Sequence, residues 1–293
     1  MSTRPLTPRA AVGRTLWWVA VVVIGISTVG PLIWTFATSL KPPAEIISSY
    51  LDPIPDHPTL QNYVDLFAQT KFGRYLLNSA ILALGGTITN LFFGALAGYA
   101  FARLAFRGRQ SIFGVFLASM MVPAIVTMVP TFLVLRRFPF AGGNDLFGQG
   151  GTGFINSYAA ILLPGAVGAF GIFYMRQFFG SLPGEMADAA RIDGAGEYRI
   201  FSRVYLPLAK GALAVLGVLT FQAGWNAFLW PLIVLNEPDM LTVQVGLASF
   251  VNEYQTNYGA QMAGTIVASL PILVVFAFSQ RFIVQTNTDS SIK

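Results

Sequence analysis

Six stretches of the chain contain no Asp, Glu, Lys or Arg: 15–40, 76–102, 110–135, 156–175, 211–236 and 259–280. At about 1.5 Å per residue, twenty helical residues reach the roughly 30 Å of a bilayer's hydrocarbon. Lipid offers no partner to an unpaired peptide group, so each stretch is expected to be a helix. The pattern therefore predicts an all-α membrane protein of six transmembrane helices, with residues 1–293 forming one domain.

Smaller features modulate this picture. Gly94 and Gly98 form a small-xxx-small pair that lets a neighbouring helix come close. Pro123 and Pro130, seven residues apart, lie on nearly one face of the third stretch. Each removes a backbone hydrogen bond, which predicts a kink; a cavity-lining role and a purely structural one both remain open. Between the stretches, 41–75 is proline-rich and able to carry a short helix near Leu60 to Phe67. The glycine-rich run 138–153 reads as a mobile surface loop. No internal repeat is strong enough to argue an inverted-repeat carrier.

Composition agrees with a membrane protein: 54% of residues are hydrophobic, 11% are charged and the mean hydropathy is +0.61. Soluble domains carry roughly a quarter charged residues. Cysteine is absent, which removes disulfides, thiolate metal sites and cysteine nucleophiles. The single histidine, His57 in Asp56-His57-Pro58, has no second imidazole with which to share a metal and reads as a solvated turn residue.

The net charge of +5 is dispersed among the apolar stretches and forms no stripe suited to nucleic acid. With the N-terminus inside, the inner segments hold most of the basic residues, including Arg4, Arg9, Arg14, Arg103, Arg107, Arg109, Arg191, Arg199, Lys210 and Lys293. The outer loops hold Lys41, Lys71, Arg74, Arg136 and Arg137. The last outer loop, with Glu237, Asp239 and Glu253, has no basic residue. This asymmetry predicts both termini in the cytoplasm. The first apolar run follows Arg4, Arg9 and Arg14 but is too long for a signal peptide and lacks a clear cleavage site, so it reads as an uncleaved helix.

One polar segment between the fourth and fifth stretches is too well formed to be a slack linker. Pro183 suits a first helical turn, Glu185 and Asp188 suit the positive end of a helix dipole, and Gly194 suits the left-handed residue that ends it. The expected product is a helix of about three turns, a turn at Asp193 to Gly196, and a second helix leading into the fifth stretch. Its alanines, Ala187, Ala189 and Ala190, make it slim, while Met186 and Ile192 supply apolar anchors. Such a helix can occupy another protein's groove or rest on the lipid surface.

Residue order favours the groove. Asp188-Ala189-Ala190-Arg191-Ile192-Asp193-Gly194-Ala195, running on to Leu206-Pro207, resembles the EAA loop of binding-protein-dependent ABC importer permeases, with Asp188 in place of the usual glutamate. Pro58-Thr59-Leu60-Gln61-Asn62-Tyr63, Tyr75-Leu76-Leu77-Asn78-Ser79, Gly98-Tyr99-Ala100-Phe101-Ala102-Arg103, Asn156-Ser157-Tyr158 and Trp225-Asn226-Ala227-Phe228-Leu229-Trp230-Pro231-Leu232 resemble the carbohydrate-uptake branch of that family, in particular its six-span maltose-type permeases. The C-terminus departs from the pattern, since a polar tail with Thr286-Asn287-Thr288 follows Gln285.

The resemblance implies a type I ABC importer permease of the MetI-like fold, in a bacterial inner membrane, carrying a sugar or sugar derivative. It implies a second permease making a heterodimer, two cytoplasmic ATPase subunits that hold ATP and Mg, and an extracytoplasmic solute-binding protein. No catalytic residue, metal or bound cofactor is expected in this chain, and the absence of any Gly-Lys dipeptide excludes a P-loop. On this resemblance Met186, Asp188, Ala189, Ala190, Ile192, Asp193 and Gly194 would couple the chain to an ATPase, the loop acting as a rigid lever with Pro207 at its junction with the fifth span.

For the solute, Gln222 and Asn226 lie one helical turn apart with Trp225 between them. Amides and an aromatic face suit sugar hydroxyls and ring CH groups; equally, amides bridge helices and Trp225 can belong to an interfacial belt. A secondary transporter or channel would share the hydropathy, but the spans lack the ionisable groups that couple carriers to protons or sodium. An intramembrane protease would need histidine or paired acids within the spans, and they are not there.

Overall fold

The computed structural model describes residues 8–48, 52, 54–250 and 257–289. Arg4, Glu253, Lys293 and the end of the polar tail lie outside them. In chain order the helices are α1 (Pro8–Ser39), α2 (Pro43–Ser48), α3 (Gln61–Gln69), α4 (Phe72–Arg103), α5 (Arg109–Met120), α6 (Ala124–Arg136), α7 (Ala159–Gly165), α8 (Ala169–Ser181), α9 (Glu185–Ile192) and α10 (Glu197–Ile200). A π-helical turn, Phe201–Tyr205, leads to α11 (Leu206–Leu208), α12 (Lys210–Trp225), α13 (Leu229–Val234), α14 (Val243–Ala248) and α15 (Tyr258–Asp289). No strand occurs among the described residues. Four helices, or six with two bent pairs counted as one span each, are long and apolar enough to cross a membrane.

The chain divides into two compact units, 1–70 with 247–269, and 71–246 with 270–293. In the first, the Pro-Thr-Leu-Gln-Asn-Tyr motif closes the end of α1. Asn62 Nδ2 donates to the carbonyls of Ser39 and Lys41 at 2.8 and 2.7 Å, and Ser39 shares a 2.7 Å hydrogen bond with the Tyr63 hydroxyl. Glu45 is buried and accepts the backbone N–H of Asp56 and of His57 at 2.8 and 3.4 Å, with Lys41 Nζ 4.0 Å away. His57 is thus an exposed turn residue whose backbone is held by a carboxylate. The expected short helix near Leu60 to Phe67 is α3.

In the second unit α4 is the central helix, lying against α8 and α12. The glycine pair sets how close α8 comes. A Cβ on Gly94 would stand 3.3 Å from the Gly171 carbonyl carbon, and one on Gly98 would stand 2.6 Å from Met175 Cβ and 2.9 Å from the Arg176 nitrogen.

Three apolar stretches are less regular than length alone predicts. The third is not a kinked span: α5 and α6, of 12 and 13 residues, meet at 104°. Pro123 stands at the cap of α6 with ψ 132°; proline disfavours the helical region for the residue before it and has no N–H to continue the ladder, so α5 stops short of it. Pro130 stays inside α6. The fifth stretch stops at Trp225 and resumes as α13 after Asn226 to Phe228; a continuous helix would drive the Pro231 ring into the Ala227 carbonyl. The fourth runs from Ala159 to Ser181, past the expected limit at Met175, and is interrupted between Gly165 and Gly168, where Asn90 Nδ2 donates to the Gly165 carbonyl at 2.8 Å.

At the Phe72 end of α4, two further motifs hold the segment after α12. Buried Asn78 donates to the carbonyls of Asp239 and Leu241, both at 2.9 Å, and accepts the Tyr158 hydroxyl at 2.8 Å. Ser79 accepts the Val243 N–H at 2.8 Å. The glycine-rich run 138–153 is not slack. Asn144 is buried, donates to the carbonyls of Arg136 and Phe138 and accepts the Gly151 N–H, while Asp145 Oδ1 accepts the N–H groups of Phe147 and Gln149 at 2.8 Å. Its glycines are required by backbone geometry, since Gly142, Gly143, Gly148, Gly150 and Gly153 all have positive φ.

Candidate functional site

At the opposite end of α4, beside Arg103, the polar segment forms an arm on an aromatic base. The Tyr99, Phe179, Phe201 and Tyr205 rings meet at centroid distances of 5.1 to 6.4 Å, in a buried cluster that also holds Ala95, Met175, Ala187, Ile200, Ala209, Ala212 and Leu216.

Helix α9 folds much as its residues dictate, in about two turns and not three. Gly184 caps it, so Pro183 precedes the helix and does not occupy its first turn. Glu185 and Asp188 sit in the first turn and Arg191 in the last, the charge order that complements the dipole. The C-terminus is a Schellman turn: the Ala195 N–H bonds the Ala190 carbonyl at 2.9 Å and the Gly194 N–H bonds that of Arg191 at 3.0 Å. Gly194 takes φ +79° with open space around it. Gly194→Ala should therefore cost only about 1 kcal/mol of backbone strain. Gly194→Pro cannot adopt that φ and loses the donor, so uptake should fall far more for proline than for alanine at equal membrane expression.

The two faces of α9 differ. Ala187, 2% exposed, is buried on the aromatic base, and half-buried Ala190 packs there too. Met186, Ala189 and Ile192 point away, and Ile192 is 87% exposed, with exposed Asp193 beside it. The alanines expected to admit a partner are thus divided, Ala189 facing outward and Ala190 the chain's own core. Asp188 is engaged within the chain: Arg191 Nη1 stands 2.8 Å from Asp188 Oδ1 while its Nε donates to Glu197 Oε1 at 2.9 Å. Arg191 holds the Glu197 carboxyl below the usual carboxylate range. A lowered value leaves Glu197 charged at neutral pH, its contribution fading only as pH falls through that value.

Two side chains that the motif reading did not single out complete the site. The Tyr99 hydroxyl donates to Glu197 Oε2 at 3.0 Å. Arg103 donates from Nε and Nη2 to the Phe179 carbonyl at 3.0 and 2.6 Å, donates from Nη2 to the Leu182 carbonyl, and lies 5.0 Å from the centre of the Tyr205 ring. Both belong to Gly98-Tyr99-Ala100-Phe101-Ala102-Arg103, and their i,i+4 spacing was the available signal. Beyond the arm, the π turn and Pro207 lead to a 76° bend into α12.

Of the residues considered for solute contact, Gln222 and Asn226 stay together, the Asn226 N–H bonding the Gln222 carbonyl at 3.0 Å, and Trp225 is set apart from them. Trp225 is 2% exposed, stacked on Phe221 at 5.7 Å and packed beside Leu76, Ala80 and Ala83, so its indole is core and presents no platform. Gln222 and Asn226 are exposed, and Asn226 Oδ1 accepts from Gln244 Nε2 at 3.3 Å.

Residues 90–288 match the family described as binding-protein-dependent transport system inner membrane component. The chain is 32% identical over 290 residues to the arabinooligosaccharides transport system permease protein AraQ of Bacillus subtilis, covering 98% of each. It is 34% identical over 268 residues to the diacetylchitobiose uptake system permease protein NgcG of Streptomyces coelicolor, covering 91% of this chain and 82% of that one. Its fold matches a chain of a bacterial ABC transporter involved in the import of the acidic polysaccharide alginate, with TM-score 0.83 and 23% identity over 96% of this chain and 100% of that chain. With that family match spanning the helices that carry the arm, the chain belongs to the binding-protein-dependent transport system inner membrane components and is a multi-pass permease subunit of an ABC importer.

Proposed function

We propose that this permease carries a sugar or sugar derivative inward and that α9 is where an ATPase subunit grips it. The observation that carries the coupling role is the division of α9: an exposed apolar row, Met186, Ala189 and Ile192, on a helix held from beneath by Ala187 and the aromatic base. Three apolar side chains in one outward row on a helix fixed from beneath suit a protein groove. The names of AraQ and NgcG, both saccharide systems, support the cargo class. Neutral, exposed Gln222 and Asn226 suit a hydroxyl-rich solute, and Trp225 is withdrawn from that role.

The chain pairs with a second, different permease, two ATPase subunits holding ATP and Mg, and an extracytoplasmic solute-binding protein. Both termini lie in the cytoplasm, which puts the arm on the ATPase side and the segment held by Asn78 on the binding-protein side. Vesicles containing the assembled complex should take up labelled oligosaccharide only when ATP and the binding protein are both supplied. Uptake without ATP would support a secondary carrier or channel instead.

A further inference from the structure

The arm is joined to the rest of the unit in two unequal ways. Its covalent exit toward α12 passes through the π turn Phe201–Tyr205, whose i→i+5 bond from the Leu206 N–H to the Phe201 carbonyl is followed at once by Pro207, which has no N–H to give. The chain then bends by 76° at Ala209. Irregular turns of this kind are where helices yield. The hydrogen bonds from charged side chains run instead to the last turn of α4, while Phe201 and Tyr205 of the π turn pack their rings on the same buried base. Tyr99, 4% exposed, reaches Glu197 and through it Arg191 and Asp188 of α9. Arg103 caps the last carbonyls of α8, at Phe179 and Leu182, groups that a helix end leaves without intrahelical donors. Tyr205, beneath Arg103, also donates to the Pro183 carbonyl at 3.3 Å.

We propose that Tyr99 and Arg103 are positioning residues for transport. They fasten α9 and the end of α8 to α4 as one body, so that movement imposed on the arm reaches α4 directly, while the π turn and the Ala209 bend act as the joint to α12. Nothing in the family's motif states this division; it follows from where the hydrogen bonds and the irregular turns fall. It rests on the reading that α9 receives the motion of the ATPase pair.

The test uses the assembled complex in proteoliposomes. Tyr99→Phe removes one hydroxyl and keeps the ring packing; Arg103→Gln removes the bifurcated donor. Each should leave ATPase subunits co-purifying and ATP turnover within about twofold, yet lower solute moved per ATP hydrolysed by about three- to tenfold, the double variant more. A double variant whose solute-to-ATP ratio matches wild type overturns the proposal. Because the chain has no cysteine, nitroxides can be placed at Glu185→Cys, exposed in the first turn of α9 and off its outward apolar row, and at Ile88→Cys alone. Their separation should be narrow and the same in the resting and ATP-bound complexes, and should broaden in Tyr99→Phe; a distribution that Tyr99→Phe does not change also overturns it. If Arg103→Gln fails to fold, Tyr99→Phe decides by itself. Ile192→Glu separates the two claims: should it retain both ATPase subunits and full transport, the coupling reading fails whatever Tyr99 does.

Discussion

Gly98→Val is expected to prevent accumulation of folded protein, while Gly86→Val on the same helix is expected to be tolerated. The added Cβ at Gly98 would stand 2.6 Å from Met175 Cβ, and within 2.9 Å of the Met175 carbonyl carbon and the Arg176 nitrogen, all part of α8. Backbone cannot swing aside as the tip of a flexible side chain can, so α4 and α8 must separate along their whole contact. Overpacking of a well-filled interface costs about 1–3 kcal/mol when side chains can adjust, and this case lies at or above the top of that range. Gly86 has nothing within 4 Å of its added Cβ and shares the helical setting, so it controls for helix propensity and hydrophobicity. Detergent-solubilised yield and the unfolding midpoint should drop sharply for the first variant and change little for the second. Equal behaviour of the two would remove the close α4–α8 approach from the account.

Ile192→Glu is the second large effect, and it should act with no loss of fold. The side chain is 87% exposed and touches no buried cluster, so the isolated permease should insert and melt as wild type does. In the assembled transporter the same side chain is expected to be buried against an ATPase subunit. Losing a buried isoleucine forfeits about 1.5–3 kcal/mol, and seating an unpaired carboxylate in its place adds to that. ATPase co-purification and ATP-dependent uptake should therefore fall by roughly two orders of magnitude or more. Ala187→Glu should behave oppositely, since it places a charge in the aromatic base and should damage the permease itself.

These contrasts show which parts of the structure could be read from residue order. The arm was legible because its signals are local: a dipole-matched charge order over Glu185 to Arg191, a glycine where a left-handed turn must fall, and a leucine-proline exit. The glycine pair of α4 was legible for the same reason. What escaped depends on partners far along the chain. Tyr99 meets Glu197 across 98 residues and Arg103 meets Phe179 across 76; their i,i+4 spacing puts them on one face of α4 but does not say what that face meets. The spans illustrate a different gap. An uncharged stretch certifies that a segment can reside in lipid but not that its helix is continuous. Pro123 at the start of α6 and Pro231 in the first turn of α13 follow breaks that a reading by length does not show. The glycine-rich run shows the opposite gap: composition reveals the glycines but not that their positive φ values serve a loop hydrogen-bonded through Asn144 and Asp145. Spacing could not decide between the alternatives for Trp225, because one turn contains both the exposed amides and the buried indole.

The central claim is that the outward face of α9 is the surface through which ATP-driven force enters this permease. A single cysteine at Ala189→Cys, carrying a short photoactivatable cross-linker in the assembled complex, tests it most directly. Illumination should join the permease to an ATPase subunit in high yield, and modification of that cysteine with a bulky reagent before assembly should abolish uptake. A complex that transports normally while the probe at residue 189 reacts only with lipid or solvent would contradict the account.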